Sequence, residues 1–415
     1  MRQDELRARR MRSQLLAGPP AGGVLDAVER VVGIQAQSWS AARLAVRART
    51  SGLLVAADVD RALAGGELAR TWLMRGTLHL VAAADLDWLT AIFGPLNRSG
   101  GRRRREELGV EDPVAERALA EMPGILAGAG PMDRAELIAR LARRGVRIDP
   151  TGQAPAHLVA YAAAAGVLCR GPDLAGGRPS VILAEEVRAA RAAGGPRRFE
   201  GDAALRELAR RYVAGYGPLD DDGAADLAAW SGLPIGTARR ALELLGASPA
   251  PDDSTPVSGD APVADRRARA PEPLGASPAP DGSTPVSGDA PAADGDLPAR
   301  LLGPFDTVLL GHRDRDFVVG AEHAKRVNAG GGMVAATLLV GGRVAGLWRR
   351  AGRKVALQPF DGPDALPAEA RAALEAEVRT WPGSSANPLP QPGSDRANAC
   401  SKILPQPLPP PPSPV

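Results

Sequence analysis

The chain has 415 residues, 44% of them hydrophobic, enough for two or three domains with real cores. Its two cysteines, Cys169 and Cys400, lie far apart, so neither a disulfide framework nor a zinc site is indicated. The N-terminus lacks an apolar signal core and no run of about 18 apolar residues occurs, so the expectation is a soluble, cytoplasmic protein with no membrane partner.

Formal net charge is only +3, but it is unevenly spread. Residues 1–105 hold 17 arginines against nine Asp and Glu, whereas 246–300 hold four arginines against nine acids. Only three of the 51 basic residues are lysines (Lys325, Lys354, Lys402). A basic folded part diluted by an acidic insert suits a polyanionic partner.

In chain order, residues 1–108 show helical spacing at Leu6–Leu16, Val24–Val32 and Ala57–Ala64. Two strands follow within Leu68–Val81 around Arg75-Gly76, and then a helix over Asp85–Leu96. Residues 109–199 repeat the grammar: helices at Val114–Leu126, Asp133–Arg144 and Ala154–Ala165, with Asp133 and Glu136 as a capping pattern, then a hairpin over Val167–Leu183 around Gly176-Gly177. A third unit, 200–245 plus 297–381, has helices at Ala203–Ala214, Asp222–Trp230 and Ile235–Leu244, with Ser231-Gly232-Leu233-Pro234 as a helix-turn-helix corner. Its strands are predicted at Phe305–Leu310, Met333–Val340 and Arg343–Trp348, with Gly341-Gly342 as the turn. Three helices and a hairpin make a winged helix, so the expected fold is mainly α with small β-hairpins (α+β), in three tandem winged-helix domains.

The third unit is split at 246–296, where a 21-residue sequence occurs twice, at 245–265 and 274–294, differing only at Asp253/Gly282 and Val263/Ala292. Rich in Pro, Ala, Ser and Asp, it reads as a disordered loop, and residues 382–415 read as a disordered proline-rich tail.

Gln35 and Gln37 stand two residues apart in the apolar run Val31–Ser38. A carboxamide offers donors and an acceptor without charge, so such a pair can orient a water molecule or meet a developing cation. A Gln pair at a helix end is ordinarily solvated or a cap, and only its context gives it chemistry. Arg102, Arg103, Arg104 and Arg105 suit phosphate contacts or a solvated helix face. His312, Arg313 and Arg315 suit an extended element approaching a DNA groove, or local pairing with Asp314 or Asp316. His79 and Trp72 read as structural. There is no P-loop, HExxH or nucleophile elbow, so nucleotide hydrolysis, zinc proteolysis and serine esterase chemistry are unsupported.

Four blocks in order carry a resemblance: Gly33-Ile34-Gln35-Ala36-Gln37; Thr71 to Leu80; Tyr216-Gly217-Pro218-Leu219 with Ala229 to Leu233; and Phe305-Asp306 through Gly311-His312-Arg313-Asp314-Arg315. They resemble the winged-helix DNA-binding family of the AlkZ-type and YcaQ-type alkylpurine DNA glycosylases. The resemblance implies a concave DNA-binding surface on three tandem winged helices and a catalytic Gln-x-Gln pair at Gln35 and Gln37. It further implies monofunctional hydrolysis of N7-alkylated purine nucleosides in double-stranded DNA, extending to interstrand crosslinks, by a monomer without metal or cofactor. The competing reading is a non-enzymatic winged-helix regulator, which would prefer one duplex sequence over damage.

Overall fold

The N-terminal end forms two helices, α1 (Gln3–Ser13) and α2 (Val24–Arg30), then a two-residue strand β1 (Ile34–Gln35). The structure is a computed structural model and describes residues 2–51, 56–190, 195–220, 222–246, 297–352, 354–362, 364–381 and 385–386. The duplicated segment from 247 to 296 and the tail from 387 onward lie outside the described residues.

Helix α3 (Trp39–Arg49) was absent from the sequence expectation, although Ser38 signals its start by accepting from the Ala41 amide at 3.3 Å. α4 (Ala56–Ala64), β2 (Leu68–Trp72) and β3 (Leu78–Ala82) follow as expected, and α5 (Leu86–Gly100) leads into a short α6 (Arg102–Glu107). The next segment comprises α7 (Asp112–Leu126), β4 (Met132–Asp133), α8 (Arg134–Arg143), α9 (Ala154–Ala164), β5 (Leu168–Arg170), β6 (Ser180–Leu183) and α10 (Ala184–Ala190). Asp133 caps α8 by accepting from the Glu136 amide at 2.8 Å, as its spacing predicts. The two hairpins join into one six-stranded sheet in the order β1-β3-β2-β5-β6-β4, through the pairing of Arg70 with Arg170.

Helices α11 (Gly201–Tyr216), α12 (Gly223–Ser231) and α13 (Ile235–Gly246) come next, with Gly232 in the left-handed conformation at the end of α12. Their apolar faces do not make a separate core. Leu208, Tyr212, Leu227 and Trp230 pack in one cluster with Val28, Ile34, Leu68 and Leu80. Buried Asp85 ties the same elements together by accepting from Trp88 Nε1 at 2.9 Å, Arg197 Nη1 at 3.1 Å and Arg211 Nη1 at 2.6 Å.

Past the insert, β7 (Arg300–Leu302), α14 (Thr307–Leu310), α15 (Ala324–Val327), β8 (Thr337–Val340), β9 (Arg343–Ala351), β10 (Lys354–Pro359), α16 (Ala368–Arg379) and β11 (Ser385–Ala386) complete the described chain. The strands form a five-stranded sheet in the order β11-β10-β9-β8-β7. Residues Phe305–Leu310, expected as a strand, instead turn through Phe305 at φ 60 into α14, whose start Asp306 caps by accepting from the Val308 amide at 3.1 Å. A short apolar run carries no period, and the capping carboxylate decides its form. The strand expected from Met333 begins only at Thr337, while Gly341 and Gly342, at φ 56 and 72, make the predicted turn. Ser385–Ala386, placed by composition in the tail, pair in parallel with Lys354–Val355.

This sheet packs on α16 through Leu301, Trp348, Val355 and Leu374, and its Leu302, Leu339 and Val344 share a second cluster with Met11 of α1, Leu16 and Val308 of α14. A wholly buried ion pair links the two ends of the chain. Arg49 donates to Asp306 at 2.8 and 3.0 Å, to Gln14 Oε1 at 3.0 Å and to Thr307 Oγ1 at 2.6 Å. Among the described residues the architecture is a mixed α/β arrangement with two small sheets. Among the described residues no helix is long and apolar enough to cross a membrane.

Candidate active site

Gln35 ends the edge strand of the six-stranded sheet, and Gln37 follows two residues later, just before α3. The chain leaves α2 through Val32 at φ 64 and passes Gly33, where an added Cβ would lie 2.9 Å from Val81 Cγ1 and 3.2 Å from Met74 Cε. Only glycine lets β1 lie so close to β3, where Ile34 faces Leu80 and Gln35 faces His79. The strand is fastened on both sides. The Ala36 amide donates to Leu78 O at 2.7 Å, and Ala36 O accepts from Arg70 Nε at 3.1 Å and Nη2 at 2.8 Å.

Gln35 is buried at 8% exposure, whereas Gln37, one step before the cap of α3, is exposed. Gln35 Nε2 donates to Gln37 Oε1 at 3.3 Å, and Gln35 Oε1 accepts from Arg75 Nη2 at 3.1 Å. Beneath Gln35, His79 is buried and its Nδ1 lies 2.9 Å from Thr77 O. Burial first, then the Arg75 charge, push the His79 imidazole down to about 3, so it is neutral at physiological pH.

Arginines gather around this edge. Burial pushes Arg75 below the usual guanidinium range; Tyr216 opposes this and Arg315 adds to it, which puts Arg315 within electrostatic reach of Arg75. Arg70, held low by burial and by Arg43, lies over the Trp39 ring at 4.9 Å. Arg170 lies over Trp72 at 5.2 Å, and burial with the charges of Arg70 and Arg134 brings it to about 10. Burial is the first cause of all three shifts, and Asp173, 3.6 Å from Arg70 Nη1, offsets part of it for Arg70 and Arg170. A cavity of ≈590 Å³ opens beside Arg75, lined also by Trp72, Asn97, His157, Tyr161 and Gly232.

The other sequence candidates fare unequally. On α6, Arg102 pairs with Glu106 at 2.7 Å and Asp112 at 3.0 Å, Arg103 with Glu107 at 3.0 Å and Arg104 with Glu107 at 3.1 Å, all at exposed positions. Arg105 is corrected outright: it is 2% exposed, donates to Val110 O at 2.6 Å and to Asp112, and lies 4.4 Å from the Tyr161 ring centre, so it fastens α6 and is not open to a phosphate. His312 is likewise corrected. It lies on no extended element but follows α14, 3% exposed, with Nδ1 3.1 Å from Asp226 Oδ2 and its ring against Phe317. Arg313 is exposed and pairs with Asp222, while Arg315 is half-buried on the side of Arg75.

Arg70, Arg75 and Arg170 escape a reading of the sequence. Arg75 reads with Gly76 as a turn, and nothing local marks its guanidinium as aimed at a residue 40 positions earlier. Its left-handed backbone, at φ 54, is a signal that only the fold exposes.

Comparison with known proteins places the chain in a family. A family model described as DNA glycosylase AlkZ-like matches residues 28–381. A curated protein of Streptomyces sahachiroi, an interstrand DNA cross-link repair glycosylase, is 28% identical over 387 residues, covering 92% of this chain and 96% of the relative. The solved structure of the Streptomyces sahachiroi DNA glycosylase AlkZ superposes with a TM-score of 0.70 at 23% identity, covering 94% of this chain and 99% of that one, a likeness of fold.

Proposed function

Since the chain belongs to the AlkZ-like DNA glycosylase family, we propose that it hydrolyses the N-glycosidic bond of N7-alkylated purines in duplex DNA, with Gln35 and Gln37 as the catalytic pair. Its activity is that of a DNA glycosylase, a hydrolase of N-glycosyl bonds. The substrate and the residues are our reading. The observation that carries it is the hydrogen-bonded carboxamide pair, one amide buried and one exposed, at a sheet edge flanked by Arg75 and Arg315.

The chemistry suits neutral amides. Alkylation at N7 makes the purine cationic, so when the C1′–N9 bond breaks its electron pair neutralises the departing base and no strong acid is needed. Positive charge passes to the sugar, water adds to C1′ and its proton leaves to solvent. A carboxamide has no protonation equilibrium near neutrality, so the pair orients the water and stabilises the sugar cation and does not abstract a proton. In this reading three helix-and-hairpin units curve around the duplex, Arg313, Arg315 and the exposed arginines of α6 contact phosphates, and the protein works as a monomer. The crosslink activity named for the Streptomyces relative is the natural extension of the same chemistry.

Duplex DNA carrying 7-methylguanine tests the proposal. Gln35→Ala/Gln37→Ala is expected to lower single-turnover base release by about 100-fold or more while leaving DNA affinity within a few-fold. Wild-type release by that variant, or no release by the native protein, would remove the catalytic pair.

A further inference from the structure

We propose that Arg75 is a positioning residue that sets the direction of both catalytic carboxamides, an inference that rests on the Gln35/Gln37 reading above. An amide side chain can turn over and exchange its oxygen for its nitrogen at almost no steric cost, so a Gln pair has no intrinsic polarity. An arginine removes that freedom, because it only donates.

With Arg75 Nη2 3.1 Å away, the Gln35 atom that faces it must be the oxygen. The Gln35 nitrogen is then turned to Gln37, 3.3 Å away, and Gln37 must answer with its own oxygen. One half-buried cation thus orders a chain running from Arg75 through Gln35 to Gln37, and the exposed end presents a Gln37 N–H₂ group together with one remaining lone pair on Oε1. This order leaves one acceptor, the remaining lone pair of Gln37 Oε1, for the attacking water, with a donor beside it, and a reversed pair would exchange the two.

The fold holds Arg75 for this task at some cost. Its backbone is left-handed at φ 54, a conformation disfavoured for a side chain of this kind. It is clamped by its own Nη1, which donates to Trp230 O at the end of α12. It is also clamped by Gly232, whose α-carbon presses so close that a Cβ there would stand 3.0 Å from Arg75 Cα and N. The helix-turn-helix corner is therefore packed directly against the residue that orients the Gln pair.

The test is single-turnover release of 7-methylguanine, with DNA affinity measured by anisotropy, for Arg75→Met and Arg75→Lys in native and Gln35→Ala backgrounds. Arg75→Met is expected to lower the rate roughly 10- to 100-fold, the range for one charge-assisted hydrogen bond, with affinity unchanged, and Arg75→Lys to restore part of it. In the Gln35→Ala background the same substitution should cost less than about 3-fold, since the residue it acts through is gone.

Selective ¹⁵N-glutamine labelling gives a readout free of activity: the Gln35 side-chain amide should lose its protection in Arg75→Met. An equal loss with or without Gln35, a fall in affinity at constant rate, or an undisturbed Gln35 amide overturns the proposal. Should Arg75→Met fail to fold, Arg75→Lys is read by the same criteria. A wild-type rate for Gln35→Ala would instead strike the catalytic-pair reading and leave the amide resonances to decide what Arg75 orients.

Discussion

Acidification probes the interior beneath the Gln pair through His79. This residue lies in β3 between Gln35 on one side and Thr71 on the other, 2% exposed. In the neutral ring Nδ1 carries the proton toward Thr77 O at 2.9 Å, so a second proton would have to sit in the core near Arg75. Its folded value is thus about 3 against 6.5 for the free side chain. Below about pH 6.5 the unfolded chain takes up a proton that the folded protein refuses, so stability is whole above that pH and falls as pH drops toward 3.

Each tenfold difference in proton affinity between the two states is worth about 1.36 kcal/mol, so the loss is about 2 kcal/mol at about pH 5 and about 5 kcal/mol once the window has been crossed. The assay is urea unfolding of the native protein and of His79→Phe at about pH 7.5 and about pH 5. The variant is expected to start about 1 kcal/mol less stable for want of the Thr77 hydrogen bond, and then to lose about 2 kcal/mol less on acidification. His312, also pushed down by burial, contributes equally to both proteins and cancels. Parallel pH dependences for the two proteins would refute the reasoning.

Two further substitutions test the supports of the site. Arg49→Met leaves Asp306 buried without its partner and is expected to destabilise by about 3–5 kcal/mol in chemical unfolding, most of it recovered in Arg49→Met/Asp306→Leu; a double variant no better than the single one would show that packing, not the ion pair, holds the chain ends together. Gly232→Ala places a Cβ at φ +79 against the Arg75 backbone, so thermal unfolding should show a loss of about 1–3 kcal/mol and base release should fall with it. Native rate and stability in Gly232→Ala would contradict the clamp on Arg75.

Much of the local structure was legible in the residues. Period and caps located α2, α4, α7, α8 and α9, because an apolar stripe and a capping Asp133 act within a few residues of one another. The same logic missed α3, although Ser38 caps it and Ala41, Ala42, Ala45 and Val46 form its buried face, and misjudged Phe305–Leu310, where the Asp306 cap outweighed the strand-like composition. Gln35 and Gln37, the pair proposed as catalytic, were readable as a motif. His312 and Arg105 were misplaced because a charged or polar residue carries no mark of burial in its sequence; the Asp226 partner of His312 lies 86 positions away, and the Tyr161 ring that covers Arg105 lies 56 away although its hydrogen-bond partners Val110 and Asp112 are local.

What the chain's letters determined, then, was the local order: which segments turn as helices, where glycines permit tight turns, and which two amides stand two residues apart. What the tertiary structure decided was everything that depends on distance through space. It merged two hairpins into one sheet through Arg70 and Arg170, packed α11–α13 into the core of the first hundred residues, and brought Arg75 to Gln35. The physical reason is that a hydrogen bond or a desolvated charge takes its strength from the atoms within a few ångströms of it, and those neighbours exist only once the chain has folded.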